Sequence, residues 1–340
     1  MPHRLPACLL MVLVALSLRS AFAQGESSPV AVGTRLGEIE FGRVFGGDGR
    51  NRLSEFAGHP VLVTSFRDIS MGMNAARHAW RLHEKFADRG LVVILVDLDG
   101  WMDDKTAAHG WSLILKTFGD PRLRVASLPR GLPISTQKAV YFDVLVGADG
   151  RLIAAGKDSE VSSAVEKGLE AEFDRMKKGW GASSQARELR ATCFGARKLA
   201  DAGCMGRDLM SDLGIDDEIV TALGEIAQCK SARVSGIRRL VEDGRLAEAD
   251  RECQALVRDV KGFSPWAMEV QALAEELGSD ASKAEIAQVA EAEKLASALF
   301  KGKGSAALAG KLDEKAAALS GRPAAAWLGW LAAVARDQAR

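Results

Sequence analysis

The chain has 340 residues, which is enough for about two domains. Hydrophobic residues make up 47% and charged residues 26%, values that are ordinary for a soluble globular protein, and the formal net charge is zero. A chain without a surplus of basic residues has no general attraction to nucleic acid or to anionic membranes, so the composition disfavours both as partners.

The N-terminus has the pattern of a secretory signal peptide. Arg4 supplies a positive charge, residues 5–18 form an apolar run too short to span a bilayer comfortably, and residues 21–23 read Ala-Phe-Ala, the small-x-small pattern that signal peptidase cleaves. We therefore predict a signal peptide over residues 1–23, cleavage before Gln24, and a periplasmic or secreted protein. The alternative is an uncleaved N-terminal anchor.

The cysteines bear on this export prediction. Removing the signal peptide removes Cys8 and leaves four cysteines, all in the second half of the chain: Cys193, Cys204, Cys229 and Cys253. An even number of cysteines in an oxidising compartment favours disulfides. We therefore take these four residues as disulfide candidates.

The first half alternates strand-like and helix-like segments. Alternating residues around glycines predict a short hairpin within 33–49, and apolar β-branched runs predict strands at 61–66, 91–96, 140–146 and 152–155. Helical spacing predicts helices near 70–88, 103–118 and 160–178. The Asp-Gly pair at 149–150 predicts a tight turn, so the last two strands should be antiparallel, whereas two strands joined through a helix in one sheet should be parallel.

Beyond residue 181 the strand-like runs end. Alanine, leucine and charged residues dominate, and their pattern predicts helices near 184–201, 216–230, 232–243, 246–260, 264–277, 281–301, 305–319 and 323–338. Glycines and prolines recur at similar offsets, from Gly244 to Gly304 and from Pro265 to Pro323. This spacing favours repeated helical hairpins of the tetratricopeptide-like type, although similar composition alone can also produce such a likeness.

Two stretches of the first half resemble a known family. Residues 47–63, GDGRNRLSEFAGHPVLV, are similar to the glycine turn, the Leu-Ser-acidic-Phe segment and the first core strand of the thioredoxin-like redoxins of the alkyl hydroperoxide reductase and thiol-specific antioxidant type. Residues 145–153, LVGADGRLI, resemble the late hairpin of that family. The resemblance implies an α/β thioredoxin-like domain over residues 30–178. The helical pattern that follows predicts an all-α helical-hairpin domain over residues 184–340.

The chemical motif of that family is missing. The resemblance places a redox cysteine at the start of the first helix, where backbone N–H groups and the helix dipole lower the thiol pKa. Met71 and Asn74 occupy the two cysteine positions, and Tyr141 occupies the position of the cis-proline that often lies beside them. A thioether cannot lose a proton or form a disulfide, so these three degenerate positions argue against thiol catalysis, and we assign no catalytic residue.

Methionine and histidine near this position allow a second interpretation. Thioethers suit Cu(I), and Met71, Met73 and His78 lie within one predicted helix. The simpler interpretation is that both methionines fill the space of a lost disulfide. We therefore expect no cofactor.

Three functions remain in competition. The first is a non-catalytic binding or scaffold protein whose helical domain contacts a protein partner, with no nucleic acid and no membrane span after signal cleavage. The second is a thiol-disulfide oxidoreductase or peroxiredoxin-like antioxidant that uses the C-terminal cysteines. The third is Cu(I) binding through Met71 and Met73.

Helix geometry narrows the disulfide pairing. A helical path would hold Cys193 and Cys204 roughly 12–16 Å apart, whereas bridged Cα atoms lie within about 7 Å. The helix predicted near 216–230 likewise separates Cys204 from Cys229. The remaining scheme is Cys193–Cys229 with Cys204–Cys253, which would tie successive helices together. A kink at Gly195 would shorten these distances and make the other disulfide pairings possible again.

Overall fold

The computed structural model describes residues 30–68, 70–97, 104–128, 142–212 and 216–340. The predicted signal peptide lies outside these ranges, and its cleavage stays a prediction. Within them, six strands form one mixed sheet: β1 Val44–Phe45, β2 Val61–Phe66, β3 Val92–Asp97, β4 Arg124–Ala126, β5 Phe142–Val146 and β6 Leu152–Lys157.

The sheet has the order β1-β4-β3-β2-β5-β6. Strands β2, β3 and β4 are parallel, whereas β1 and β5 run antiparallel to their neighbours at the two ends of this parallel core. Strand β6 pairs antiparallel with β5 across the predicted tight turn. The predicted pairing directions of β2 with β3 and of β5 with β6 are therefore confirmed.

A separate hydrophobic core packs against each face of the sheet, because successive side chains of a strand point to opposite sides. Leu62, Val93 and Leu95 pack in a core shared with the helices. Val63 and Ile94 pack in a second core on the other face, together with the segment that precedes β2, whose buried residues are Ile39, Phe41, Val44, Leu53 and Phe56. The continuously apolar sequence of the central strands reflects this burial on both faces.

Two predictions about the strands are wrong. The hairpin predicted within 33–49 does not form, because β1 pairs with β4 and not with its own neighbours in sequence. Arg35 and Glu40 instead make single bridges to Arg151 and Arg52. Strand β4 was not predicted at all, because its three residues are too few to show an alternating pattern.

The helices of the first half match their predictions closely. They are α1 Ser70–Phe86, α2 Asp104–Phe118 and α3 Asp158–Lys178. Helix α1 continues into the 3-10 turn Ala87–Arg89 and stops at Gly90, which has a φ of 106°. A positive φ is easily adopted only by glycine, which explains why the helix ends there.

The second half consists of helices. They are α4 Ser184–Arg190, α5 Leu199–Asp212, α6 Asp217–Glu242, α7 Leu246–Val260, α8 Ser264–Leu277, α9 Asp280–Ala296, α10 Ala306–Ala318 and α11 Pro323–Gln338. Several begin at recognisable signals: the side chain of Asp216 accepts from two backbone N–H groups at the start of α6, and Ser305 caps α10 in the same way. Proline occupies the first turn of α8 and of α11.

Two predicted helix boundaries in the second half are wrong. The helix predicted over 184–201 ends at Arg190, continues as the π-helical turn Ala191–Gly195, and is followed by the separate helix α5. Gly195 lies tightly against α3, where an added Cβ would be 2.6 Å from the carbonyl oxygen of Met176. The two helices predicted over 216–230 and 232–243 form the single helix α6.

Both halves of the chain share one hydrophobic core. Helix α11 packs against α2 of the first half. Its Trp330 stacks on Phe45 of β1 at a centroid distance of 4.1 Å and lies 4.7 Å from Trp111 of α2. Trp327 and Trp330 of α11 are both buried in this core. Helix α10 pairs with α11, and α7 pairs with α8, so both helical hairpins predicted as repeats are present.

Candidate functional site

The segment predicted to hold a degenerate motif lies at the start of α1. Met73 is buried there, and Asn74 is exposed and accepts a hydrogen bond from Arg77 at 2.9 Å. The side chain of Met71 and the whole of Tyr141 lie outside the described residues. At the second cysteine position the protein therefore presents an amide, which cannot act as a redox group.

The four predicted disulfide candidates are free thiols in this structure, and their pairing stays a prediction. Cys193, in the π-helical turn, and Cys229, on α6, line one pocket next to Arg197 and Arg233. Cys253 is buried on α7, and the thiol of the partly exposed Cys204 donates to the carbonyl oxygen of Gly262 at 3.5 Å. The break after Arg190 removes the straight helix that the pairing argument assumed.

Burial controls the chemistry of these thiols. It raises the pKa of Cys193 and raises the pKa of Cys253 to about 11. Burial also raises the pKa of Cys229, although Arg50 and Arg233 oppose it. These three thiols are protonated at neutral pH, and the thiol form is a weak nucleophile and a weak metal ligand.

The histidine of the copper hypothesis is only partly exposed on α1. His78 and Met73 are five residues apart, a spacing that directs them to different faces of a helix. Across the described ranges, no group of three or more histidine, cysteine, aspartate or glutamate side chains is placed to hold a metal ion. Cu(I) binding through Met71 and Met73 stays a prediction.

A cavity lies at the other end of the sheet from the motif. It has a volume of about 640 Å³ and is lined by residues that precede strands β2, β3 and β4, including His59, Leu91 and Pro121. The last turns of α1 reach it through His83, which lies about 18 Å along the helix axis from Met71. Helices α7, α9 and α11 of the second half complete its walls.

An arginine–aspartate cluster forms the wall contributed by the first half. Asp48 accepts from Arg50 at 2.6 and 2.9 Å and pairs with Arg124 at 3.1 Å. Burial alone would raise the pKa of Asp48, but the two guanidinium groups outweigh it and hold that pKa well below its usual range. Both arginines also lie over the ring of Phe56. The carboxylate is therefore permanently charged and fixes both arginines in place.

Arginines of the helical half reach across to the first half. Arg245, at the start of α7, is 3% exposed, pairs with Glu248 and donates to the carbonyl oxygens of Val44 and Gly47 at 3.4 and 3.3 Å. These contacts between the halves are largely buried and hydrogen-bonded, so they fix the relative position of the two walls.

A second such contact joins α6 to the segment before β2. Arg239 donates to the carbonyl oxygen of Gly49 at 3.0 Å and to the carboxylate of Glu55 at 2.9 Å. The same carboxylate accepts from the backbone N–H groups of Asn51 and Arg52. The turn that carries Asp48 and Arg50 is thereby tied to the helical half on both sides.

Two glutamates of the helical half face this cluster. Burial raises the pKa of Glu252, on α7, with Asp48 adding to the effect. Burial raises the pKa of Glu293, on α9, to about 7, and Glu248 adds to it, although Arg251 lies 3.6 Å away and the indole of Trp327 donates to it at 3.3 Å. The helical wall therefore carries less negative charge at neutral pH than its sequence suggests.

Aromatic side chains form the remaining wall. Trp111, Phe300 and Trp327 line the cavity and contact one another, with centroid distances of 6.3 Å from Trp111 to each of the other two. The guanidinium of Arg245 lies over Trp327 at 5.3 Å. The cavity thus combines aromatic apolar surface with charged groups, an arrangement typical of sites for small organic molecules.

Two histidines also line the cavity. Nδ1–H of His59 donates to the carbonyl oxygen of Gly90 at 3.1 Å, and burial, together with Arg50, lowers the pKa of His59 to about 3. Nε2 of His83 lies 3.5 Å from the carboxylate of Asp120. His59 therefore remains neutral over the physiological pH range.

The sheet order and the position of α1 after β2 define the architecture of the first half. A parallel core of three strands, flanked by antiparallel strands and covered by α1 and α3, follows the expected element order. The first half has a thioredoxin-like fold. The second half is helical throughout its described residues.

Comparison with solved structures gives matches at low identity. A protein of Chlorobium tepidum provisionally named as thiol:disulfide interchange protein DsbE is 18% identical, with a TM-score of 0.33, and the match covers 42% of this chain and 98% of that one. A thioredoxin-like superfamily protein is 12% identical, with a TM-score of 0.31 and coverages of 41% and 97%.

A hypothetical protein from Sinorhizobium meliloti 1021 is 17% identical, with a TM-score of 0.29 and coverages of 43% and 88%. No family model and no curated protein matches the chain. No helix within the described part of the chain is long and apolar enough to cross a membrane.

Sequence reasoning missed this cavity. The turn that carries Asp48 and Arg50 belongs to the stretch that resembles the redoxins, but the resemblance does not mark either residue as functional. Arg245 and Glu293 carry no local signal, because charged residues on helices usually face solvent. Only the packing of the helical half against the thioredoxin-like fold brings these residues together.

Proposed function

We propose that the protein is a non-catalytic binding protein, in which the thioredoxin-like fold serves as a platform and the helical half closes a ligand cavity over it. The observation that carries this proposal is the charged cavity between the two halves. Asp48, Arg50 and Arg245 are held there by hydrogen bonds from both halves, which is the preorganisation that a binding site needs.

The state of the thiols supports a non-catalytic role. Thiol-disulfide exchange requires an accessible thiolate. The buried thiols of Cys193, Cys229 and Cys253 are protonated at neutral pH, and Asn74 stands at a redox position. A degenerate member of the redoxin group, with the fold retained and the chemistry lost, accounts for both features.

We further propose that the protein is exported with the help of residues 1–23 and acts in the periplasm or as a secreted protein. Its apolar N-terminal run and Ala-Phe-Ala site support this location. A protein partner that contacts the helical half belongs to the same proposal.

The alternative function, thiol-disulfide exchange through the C-terminal cysteines, has one supporting observation. Cys193 and Cys229 line the same pocket, and exchange with a substrate disulfide would join their sulfurs in a new disulfide while releasing the substrate as two thiols. Formation of that bond would consume both buried thiols together.

Thiol titration combined with insulin reduction separates the two functions. For the non-catalytic protein we expect no insulin reduction and, among the four C-terminal thiols, rapid labelling of Cys204 alone, with the other three labelled only after unfolding. The Cys204→Ser variant should lose the rapid phase, whereas Cys253→Ser should keep it. Insulin reduction that disappears in both Cys193→Ser and Cys229→Ser would establish the redox alternative instead.

A further inference from the structure

Size alone makes the cavity between the halves suitable for a small molecule. Its volume of about 640 Å³ falls within the range of known ligand pockets. Its walls come from the turn after β1, from α2, and from α7, α9 and α11, so a ligand inside would contact both halves of the chain.

Buried donors on these walls have no acceptor among the described residues. The indole N–H of Trp111, a residue that is 3% exposed, makes no hydrogen bond, and neither does Nε–H of Arg124, whose side chain is 11% exposed. Buried polar groups are normally paired, and an unpaired donor is costly to bury. A bound molecule with acceptor oxygens would satisfy both groups.

The side chains that line the cavity carry a net positive charge, which matches a ligand with anionic oxygens. Seven arginine and lysine side chains line the cavity against five carboxylates. Two of these carboxylates, Glu252 and Glu293, have a raised pKa because they are buried, which reduces the negative charge further. The cavity therefore favours an anion over a cation.

The aromatic wall determines the rest of the ligand. The rings of Trp111, Phe300 and Trp327 line the same cavity as the arginines and present apolar surface to it. A flat apolar group packs well against such rings, whereas a bare inorganic anion would leave them uncovered.

We propose that this cavity binds a small organic anion, a carboxylate or phosphate ester attached to a flat apolar group. The anionic oxygens accept from Arg124 Nε–H and from Trp111 Nε1–H, and the apolar group lies against Phe300 and Trp327. This assignment rests on the proposed binding function and specifies its ligand class.

Calorimetry on the full chain with four matched probes tests the assignment. Benzoate and phenyl phosphate carry the predicted anion, whereas benzyl alcohol and benzylamine are neutral and cationic molecules of similar size. We expect at least one of the two anions to bind at least tenfold more tightly than benzyl alcohol and benzylamine. The anion that binds more tightly identifies the ligand group as a carboxylate or a phosphate ester.

Two conservative variants locate the binding. Trp111→Phe keeps the ring and removes the N–H donor, and Arg124→Lys keeps the charge and removes Nε–H. Each should weaken the better anion about tenfold, since a hydrogen bond to a charged group is lost. Trp80→Phe, on α1 and outside the cavity lining, serves as the control and should leave affinity unchanged. Thermal unfolding of each variant verifies that it is folded.

Three results would overturn the assignment: tighter binding of benzylamine than of either anion, equal affinity in folded Trp111→Phe, Arg124→Lys and Trp80→Phe, or no binding of any probe. None of these outcomes alters the thiol titration or the insulin assay. Failure of the ligand class is therefore distinguishable from failure of the non-catalytic function.

Discussion

At the scale of single residues, the contact between the two halves depends on two glycines. Gly49, in the turn after β1, has a φ of 80°, and its missing side chain allows the backbone to lie against Gly236 of α6. A Cβ on Gly236 would lie 2.5 Å from the carbonyl oxygen of Asp48. The carboxylate of Asp48 holds Arg50 and Arg124, so this close approach also positions the charged wall of the cavity.

Alanine at Gly236 should therefore destabilise the protein. We expect Gly236→Ala to lower the free energy of unfolding by about 1–3 kcal/mol, because the added methyl group overpacks a backbone contact that cannot yield. Urea denaturation followed by circular dichroism measures the change. Gly224→Ala is the matched control on the same helix, where an added Cβ meets nothing within 4 Å. That substitution should stabilise the protein by up to about 1 kcal/mol, since alanine is the better helix former. Equal effects of the two variants would contradict the prediction.

At the scale of elements, α2 connects the degenerate motif with the last helix. His109 of α2 lies 3.0 Å from the carboxylate of Asp68, in the connection between β2 and α1, and 3.2 Å from the carboxylate of Asp337, near the end of α11. Its hydrogen bond to Asp68 is the largest influence and raises the pKa of His109, with Asp337 adding to the effect against a smaller influence of burial. Protonated His109 thus holds three elements together.

The stability contributed by this contact should depend on pH. A histidine whose pKa is raised by folding stabilises the protein fully below its unfolded pKa of about 6.5, and this stabilisation is lost as pH rises through the folded pKa. We expect His109→Gln to lower the free energy of unfolding by about 0.5 kcal/mol at pH 5.5, a small value because the side chains are half-exposed and screened by solvent. At pH 9 the variant and the parent should be equally stable.

Denaturation series at the two pH values measure this difference. Asp337→Asn, which removes one of the two carboxylates, should produce a smaller loss at pH 5.5 and serves as the partial control. A loss for His109→Gln that is the same at both pH values would mean that His109 acts through packing and not through its charge.

At the scale of the whole molecule, the shared core indicates that the two halves fold as one unit. Trp330 of α11 lies between Phe45 and Trp111 of the thioredoxin-like fold and is 4% exposed. Residues from the sheet and from α6 to α11 belong to the same continuous cluster. Loss of either half would expose apolar surface on the other, so partial unfolding is costly.

Trp330→Ala should destabilise both halves together. We expect the free energy of unfolding to fall by about 3–5 kcal/mol, the usual cost of truncating a buried aromatic residue, with one transition retained. Far-ultraviolet circular dichroism and tryptophan fluorescence should give coincident curves. Trp266→Ala, a partly exposed tryptophan on α8 that contacts Phe263, should cost less. Separate transitions for helix and sheet signals in the parent protein would show that the halves are independent.

The sequence by itself determined most elements of this fold. Strands β2 and β3 are runs rich in apolar and β-branched residues, the turn that follows α1 stops at Gly90, and α8 and α11 have proline in their first turn. Local physical preferences were sufficient to locate these elements. The sequence also shows that no cysteine lies between Gln24 and Thr192, which is the observation behind the proposed non-catalytic role. These features depend on residues close in sequence, whose conformational preferences act before any tertiary contact forms.

The remaining features of the fold and the cavity depend on tertiary contacts. Strand β1 pairs with β4 about eighty residues away, and the helix break at Ala191–Gly195 follows from packing of Gly195 against α3. The cavity depends on contacts of even longer range, such as that of Arg245 with Gly47. No local pattern encodes these pairs, because a charged residue has the same helical periodicity whether it faces solvent or a buried partner. The fold of each half was therefore predictable from its own residues, whereas the site between them exists only where the two surfaces meet.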